Sequence, residues 1–324
     1  MKVLVTGGAG FIGSHLVERL LAENHEVVSL DNLTTGAIDN IAALLDHPRF
    51  SNVIGSVRDL SLVQELVEDA DVIFHLAAAV GVKLILEKPS YSIHTNVNGT
   101  ENVLHAAAGR DKRVFIASTS EVYGKTTQTP FNEEADLLLG STSNLRWSYA
   151  IAKALDECLA LSYCQEGKVD AVILRFFNTT GPRQTGRYGM VLPNFVSQAL
   201  KGEPITVHGS GDQSRCFGHV KDVVESLVRL MPVNEAVGEV FNIGNDQEIT
   251  IEHLALRVKA MTGSRSEIKK IPYKDVYPNG FEDMQRRVPD VGKLERYIDF
   301  RPRTPLDDII NDLIAEKKSI LGLD

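Results

Sequence analysis

Along the first 176 positions, apolar residues fall into two alternating spacings. Short β-branched or continuous apolar runs at Val3–Val5, Glu26–Leu30, Val53–Ile54, Val72–Leu76, Arg113–Ala117 and Val169–Phe176 read as strands. Between them, Phe11–Ala22, Leu62–Val67 and a long stretch from Tyr149 to Glu166 place apolar residues at helical spacing. Strands alternating with helices build a parallel sheet covered on both faces, so the pattern predicts an α/β fold with six or seven parallel strands. The pattern breaks after Phe177, where 178–189 is rich in Gly, Thr, Pro and Arg. Beyond it come a helix near Leu192–Lys201, a strand at Ile205–His208, a loop leading into Arg215, a helix at Ile251–Met261 and a Pro-punctuated tail. The expected domains are therefore 1–177 and a smaller α/β unit at 178–324, some of whose C-terminal segments return to the first.

Composition narrows the class. With 43% hydrophobic and 24% charged residues the chain has enough apolar mass for a core and is not disordered. A net charge of −9 argues against broad nucleic-acid or anionic-membrane binding. Cys158, Cys164 and Cys216 form no CxxC pair and cannot all pair with one another, which favours a reducing cytoplasm over a disulfide framework. Glycines interrupt the first apolar run before a signal-peptide core forms, and stretches such as Phe74–Val82 fall short of the ~18 residues of a membrane span. No HExxH motif or close ligand set appears, so no metal site is expected.

Gly7, Gly10 and Gly13 form GxxGxxG between a strand and a helix. Such glycines serve any tight βα turn, but here they also suit a pyrophosphate at a helix N-terminus, as in a Rossmann-type doubly wound sheet. Asp31 ends the second strand, where a carboxylate accepts hydrogen bonds from adenosine ribose hydroxyls and repels a 2′-phosphate. That selects NAD over NADP. Tyr149 and Lys153 form YxxxK, two residues on one helix face. A neighbouring ammonium stabilises a phenolate, which makes Tyr149 a candidate base for a sugar or alcohol hydroxyl.

TGGAGFIGSHL, DNL at 31–33, HLAA at 75–78, NVNGT at 96–100, STSEVYG at 118–124, YxxxK, RFFNTTGPR at 175–183 and SRCFGHVKD at 214–222 together resemble the extended short-chain dehydrogenase/reductases, over nearly the whole chain. That family contains nucleotide-sugar epimerases, dehydratases and decarboxylases. The resemblance implies NAD bound by Gly7, Gly10, Phe11, Ile12, Gly13, Asp31, Asn32, Val57, Leu76, Ala77, Ala78, Asn96, Tyr149 and Lys153. It implies a UDP-sugar substrate, oxidation at C4 with Tyr149 as base, Lys153 lowering its pKa, and Thr119 bonding the same oxygen. It also implies a homodimer, packed through the helix following Asn96 and the helix containing Tyr149.

The fate of the 4-keto sugar divides the family, and Glu121 bears on it. Dehydratases and hexuronate decarboxylases resemble this chain in carrying Glu there, and a carboxylate beside the ring can act at C5. Arg146, in RWSY, and Arg287, in QRRVPD, resemble decarboxylase positions, and a guanidinium fork can hold a substrate carboxylate. Asn178 and Arg215 match positions that contact the sugar diphosphate, and Arg183 and Arg187 are candidates to close over phosphate or carboxylate. Ser56 stands where relatives commonly carry an adenine-contacting Asp, and Ser120 where dTDP-glucose dehydratases place Asp. UDP-glucuronate decarboxylation is the leading expectation. A UDP-sugar 4-epimerase, a 4,6-dehydratase and a non-catalytic NAD sensor remain as alternatives.

Overall fold

The computed structural model describes residues 1–186, 190–277 and 282–323. Its centre is a parallel sheet of β1 (Lys2–Thr6), β2 (Glu26–Asp31), β3 (Phe50–Ile54), β4 (Val72–His75), β5 (Arg113–Thr119), β6 (Asp170–Phe176) and a seventh strand, Val240–Ile243. The spatial order is β3, β2, β1, β4, β5, β6, Val240–Ile243. The order reverses between β1 and β4, and in such sheets the crevice beyond the strand C-termini at that point is where ligands bind.

The strands form because their residues are buried on both faces. All four residues of β4 are buried, as are four of the five in β1, which is why they read as continuous apolar runs rather than alternating ones. One face packs on α1 (Phe11–Ala22) and the helix Val220–Leu230 through Leu16, Leu20, Val223 and Leu227. The other packs on α2 (Leu60–Glu68), α4 (Pro89–Ala107) and α5 (Ser148–Gln165) through Val63, Val103, Leu104 and Ala160. Between α2 and α4 lies the short α3 (Val82–Glu87).

A third apolar cluster joins the helix Val191–Lys201, the strand Ile205–His208, the helix Ile251–Met261 and the helix Leu306–Leu321. Three expectations change here. The helix expected to follow Asn96 starts earlier, with Pro89 in its first turn, where a missing N–H costs nothing. The tail is punctuated by proline only as far as Pro305, after which sixteen residues are helical. Val220–Leu230 is a helix absent from the pattern-based expectation, although Val220, Val223, Val224, Leu227 and Val228 carry its spacing.

Candidate active site

The chain leaves β1 and turns at Gly7, whose φ of +75° lies in the left-handed region and where an added Cβ would stand 2.9 Å from the Ala77 nitrogen. At Gly13 a Cβ would come within 2.1 Å of the Gly7 carbonyl oxygen, so only glycine lets α1 start this close to the turn. No acidic side chain occupies the first turn of α1, which leaves its positive dipole end open to a phosphate. Asp31, buried at the end of β2, accepts hydrogen bonds from the Ala9 N–H at 3.1 Å and the Leu33 N–H at 2.8 Å. Burial pushes its pKa above the ordinary 3.8, against the pull of those amides. A Cβ on Gly36 would sit 2.9 Å from the Asp31 carboxylate, so glycine keeps that side clear.

Gly7, Gly10, Gly13 and Asp31 line a cavity of about 330 Å³ together with Phe11, Ile12, Asn32, Val57, Leu76, Ala77 and Ala78. Glycine clearance, an acid-free helix start and a ribose acceptor form the set a dinucleotide requires, so the residues present fit NAD. Asn96 stands behind this wall rather than on it. It is fully buried, accepts the Ala79 N–H at 2.8 Å and donates to the Ala79 carbonyl at 3.3 Å, fixing the loop after β4. Ser56 accepts the Arg58 N–H at 3.2 Å.

The same cavity ends at Thr119, Glu121, Tyr149, Asn178 and Arg287. Thr119 is the last residue of β5. Its hydroxyl oxygen accepts the Glu121 N–H at 3.2 Å, and the hydroxyl favours ionisation of the Tyr149 phenol. Tyr149 lies in the first turn of α5. Burial drives its pKa well above 10, the Glu121 and Asp156 carboxylates add to that, and Thr119 opposes it. One turn further, Lys153 is 2% exposed with Nζ 2.7 Å from Asp156. It stands behind Tyr149 rather than on the cavity wall, with its ammonium directed along the helix to Asp156.

Glu121 accepts a 2.6 Å hydrogen bond from Arg146 Nη1 and lies 3.4 Å from Arg287 Nη1. Burial works against its ionisation, but Arg146 and then Arg287 outweigh it and hold the carboxyl below its usual range. Arg215 forks onto both oxygens of Asp283 at 3.0 and 2.9 Å, and Asp283 also accepts the Tyr273 hydroxyl at 2.9 Å. Burial and the Arg215 charge bring the Arg287 guanidinium down to about 10, against Glu121 and Asp283. A second cavity of about 230 Å³ shares Glu121, Tyr149, Asn178 and Arg287 with the first and adds Arg146, Arg215, His208, Tyr273 and Tyr277. Tyr149 thus stands where the two cavities meet.

Arg183 does not join this assembly. It lines neither cavity, and its guanidinium pairs with Glu18 at 2.5 Å on α1. Arg187 lies outside the described residues. Asp283, Tyr273, Asp156 and Gly36 are site residues that the motifs do not reveal. The run of charge in EDMQRR is a signal for Asp283, whereas a single acid three residues after Lys153 is not. Among the described residues no three His, Cys, Asp or Glu side chains could hold a metal ion, no helix is long and apolar enough to cross a membrane, and Cys158, Cys164 and Cys216 are free thiols.

Residues 3–244 match the model of the NAD dependent epimerase/dehydratase family. The chain is 43% identical to a UDP-N-acetyl-alpha-D-glucosaminuronate decarboxylase of Bacillus cytotoxicus, over 97% of this chain and 96% of the relative. It is 36% identical to UDP-glucuronic acid decarboxylase 1 of Danio rerio, over 97% of this chain and 72% of that one. The structure is similar to that of a UDP-glucuronic acid 4-epimerase from Bacillus cereus, solved in complex with UDP-glucuronic acid and NAD, with a TM-score of 0.89, 27% identity and coverage of 99% and 100% of the two chains.

Proposed function

The chain belongs to the NAD dependent epimerase/dehydratase family, and on that premise we propose that it decarboxylates a UDP-linked hexuronate through a transient 4-keto sugar. The observation that carries this reading is the placement of Arg146 and Arg287 on Glu121 beside Tyr149, where the two cavities meet. Three guanidiniums, those of Arg146, Arg215 and Arg287, against the carboxylates of Glu121 and Asp283 leave positive charge for a further carboxylate, that of the substrate. Curated relatives 43% and 36% identical, both named as decarboxylases of UDP-uronates, support it.

Gly7, Gly10, Gly13 and Asp31 would hold NAD, which would supply the hydride acceptor, and later the donor, for C4. Tyr149 takes the C4 hydroxyl proton, Thr119 fixes the same oxygen, and Lys153 supplies positive charge behind the phenol. The C4 ketone makes the substrate a β-keto acid. The C5–C6 bond then breaks, carbon dioxide leaves, and its electron pair passes through C5 into an enolate on the C4 oxygen. Glu121, kept ionised by Arg146, faces this end of the ring. Arg287 orients the carboxylate and assists delivery of a proton from solvent to C5, where it takes the place of the departed carboxylate. Proton return from Tyr149 to the C4 oxygen completes a UDP-pentose. Asn178 and Arg215 receive the diphosphate, for which Arg215 exchanges part of its contact with Asp283.

Residues 1–177, with the returning strand Val240–Ile243, carry the cofactor, and most of the rest carries the nucleotide sugar. A homodimer through α4 and α5 is part of the same reading, supported by exposed Ile93, Leu145 and Leu155 on or beside those helices. The free thiols favour a cytoplasmic setting.

The test is mass spectrometry and proton NMR of products from UDP-glucuronate and, separately, UDP-N-acetylglucosaminuronate, each with NAD. Loss of carbon dioxide from either supports the proposal and tells which C2 group is accepted. An isomer of unchanged mass would replace it with 4-epimerisation, and loss of water with dehydration. Sedimentation of the intact protein reads the dimer.

A further inference from the structure

Tyr149, Lys153 and Asp156 occupy positions i, i+4 and i+7 of α5, a spacing that sets all three on one helix face. The last of them is a fully buried carboxylate whose Oδ2 lies 2.7 Å from Lys153 Nζ. Nothing in the proposed decarboxylation requires an acid there, and an ionised carboxylate in a dry interior is costly unless partnered.

Its second set of partners runs across the sheet to the cofactor cradle. The Ala77 N–H donates to Thr6 Oγ1 at 3.2 Å, and the Thr6 hydroxyl lies 2.8 Å from His75 Nδ1. His75 Nε2 is 3.2 Å from Thr100 Oγ1, and the Thr100 hydroxyl favours the ionised form of Asp156. Burial, and then the Lys153 charge, bring His75 down to about 3, so the ring is neutral and must accept on one nitrogen and donate on the other. The ring thus joins Thr6 and Thr100 through its two nitrogens.

We propose that Asp156 is a positioning residue for the C4 oxidation: it tethers the Lys153 ammonium and subtracts part of that charge from the field at the Tyr149 hydroxyl. This rests on the reading of Tyr149 as the base. The charged and polar groups around the pair are few. Thr119 and Glu121 face Tyr149 from β5 and the turn after it, and Arg146 and Arg287 neutralise Glu121. Glu157, the next residue, is bound to Arg175 of β6 and to Ser118 of β5. Thr100 and neutral His75 approach from α4 and β4. Asp156 is the acid that contacts Lys153.

The experiment is the pH dependence of kcat/KM for Asp156→Asn, read beside a substrate-free measurement. The second readout is the tyrosinate absorbance of the NAD-bound protein, taken as the difference from a Tyr149→Phe counterpart in the same background. Asp156→Asn is expected to move the acid limb and the Tyr149 titration together to lower pH by about one unit. Lys153→Met should move them the other way. Asp156→Glu, which keeps the charge, should leave the limb at its wild-type position even where kcat falls. A residue that only packs would lower the rate without moving either curve. An unshifted or upward-shifted Tyr149 in Asp156→Asn overturns the proposal. Should that variant not fold, Thr100→Val, which removes the hydroxyl that favours the ionised carboxylate, is expected to give a smaller downward shift, and no shift there counts against it equally. Because the tyrosinate titration needs no sugar, a product other than the decarboxylated one leaves this test standing.

Discussion

The two ends of the cleft are made of opposite materials. At the cofactor end, recognition is by main chain and by absence: three glycines, a bare helix start and one carboxylate, Asp31, held by backbone amides. At the sugar end it is by charge, with Arg146, Arg215 and Arg287 interleaved with Glu121 and Asp283. The acids respond in opposite directions. Asp31, without a cationic partner, is raised by burial, whereas Glu121 and Asp283 are lowered by their guanidiniums in spite of it. A rigid cradle holds a resident group in one pose; a balanced set of charges can release one partner to admit another.

Substitutions can separate the two ends. The largest effect belongs to the residue they share. Tyr149→Phe should lower kcat by about 10³-fold or more while NAD content is unchanged, as judged by proton NMR progress curves and cofactor release on denaturation. Activity within tenfold of wild type would remove Tyr149 from the role of base.

At the sugar end, Glu121→Gln leaves two guanidiniums facing a neutral amide. Loss of about 3 kcal/mol in urea unfolding at pH 7 is expected, with NAD content retained. The pH dependence has a fixed sign. Because the folded carboxyl is held below its ordinary 4.5, its stabilisation is present above that value and is lost as pH falls through the lower folded one. The gap between wild type and variant should therefore close on acidification, and a gap constant from pH 7 to pH 3 would contradict the ion-pair account.

At the cofactor end, Gly13→Ala drives a Cβ into the Gly7 carbonyl and should cost about 2 kcal/mol and most of the NAD, with Arg146 and Glu121 undisturbed. Thermal melts with and without added NAD would show this as a lost cofactor-dependent shift. The smallest effect concerns Asp31. With its pKa raised above 3.8, it begins to protonate and lose its acceptor role before Glu121 or Asp283 does. Titration calorimetry should show NAD affinity falling as the pH is lowered from neutrality toward the ordinary carboxylate range, and Asp31→Asn should flatten that dependence.

The same contrast explains what the sequence discloses. Gly7, Gly10 and Gly13 lie within seven positions, and Asp31 follows at the end of the next strand, so local spacing carries the cradle. Tyr149 and Lys153 share one helix face and are equally plain. Arg146, Arg215, Asp283 and Glu121 come from four separate segments, and no period links them. Their resemblance to family motifs suggests Arg146 and Arg215 as substrate contacts, and the geometry adds that each is already engaged by an acid. Arg183 has the sequence surroundings of a phosphate loop but sits at a φ of +69°, with its side chain turned to Glu18. Asp156 is invisible for a different reason: an acid at i+3 from a lysine is ordinary on an exposed helix, and only its burial makes it informative.

The seventh strand has a consequence for how the molecule is made. Val240–Ile243 covers β6 edge to edge, yet it is translated well after it. At ribosomal rates of about 5–20 residues per second, β6 waits several seconds with a row of main-chain donors and acceptors uncovered. During that interval the nascent chain is sticky along one side, and a product truncated before Val240 would stay so, prone to pairing with its neighbours instead of with itself.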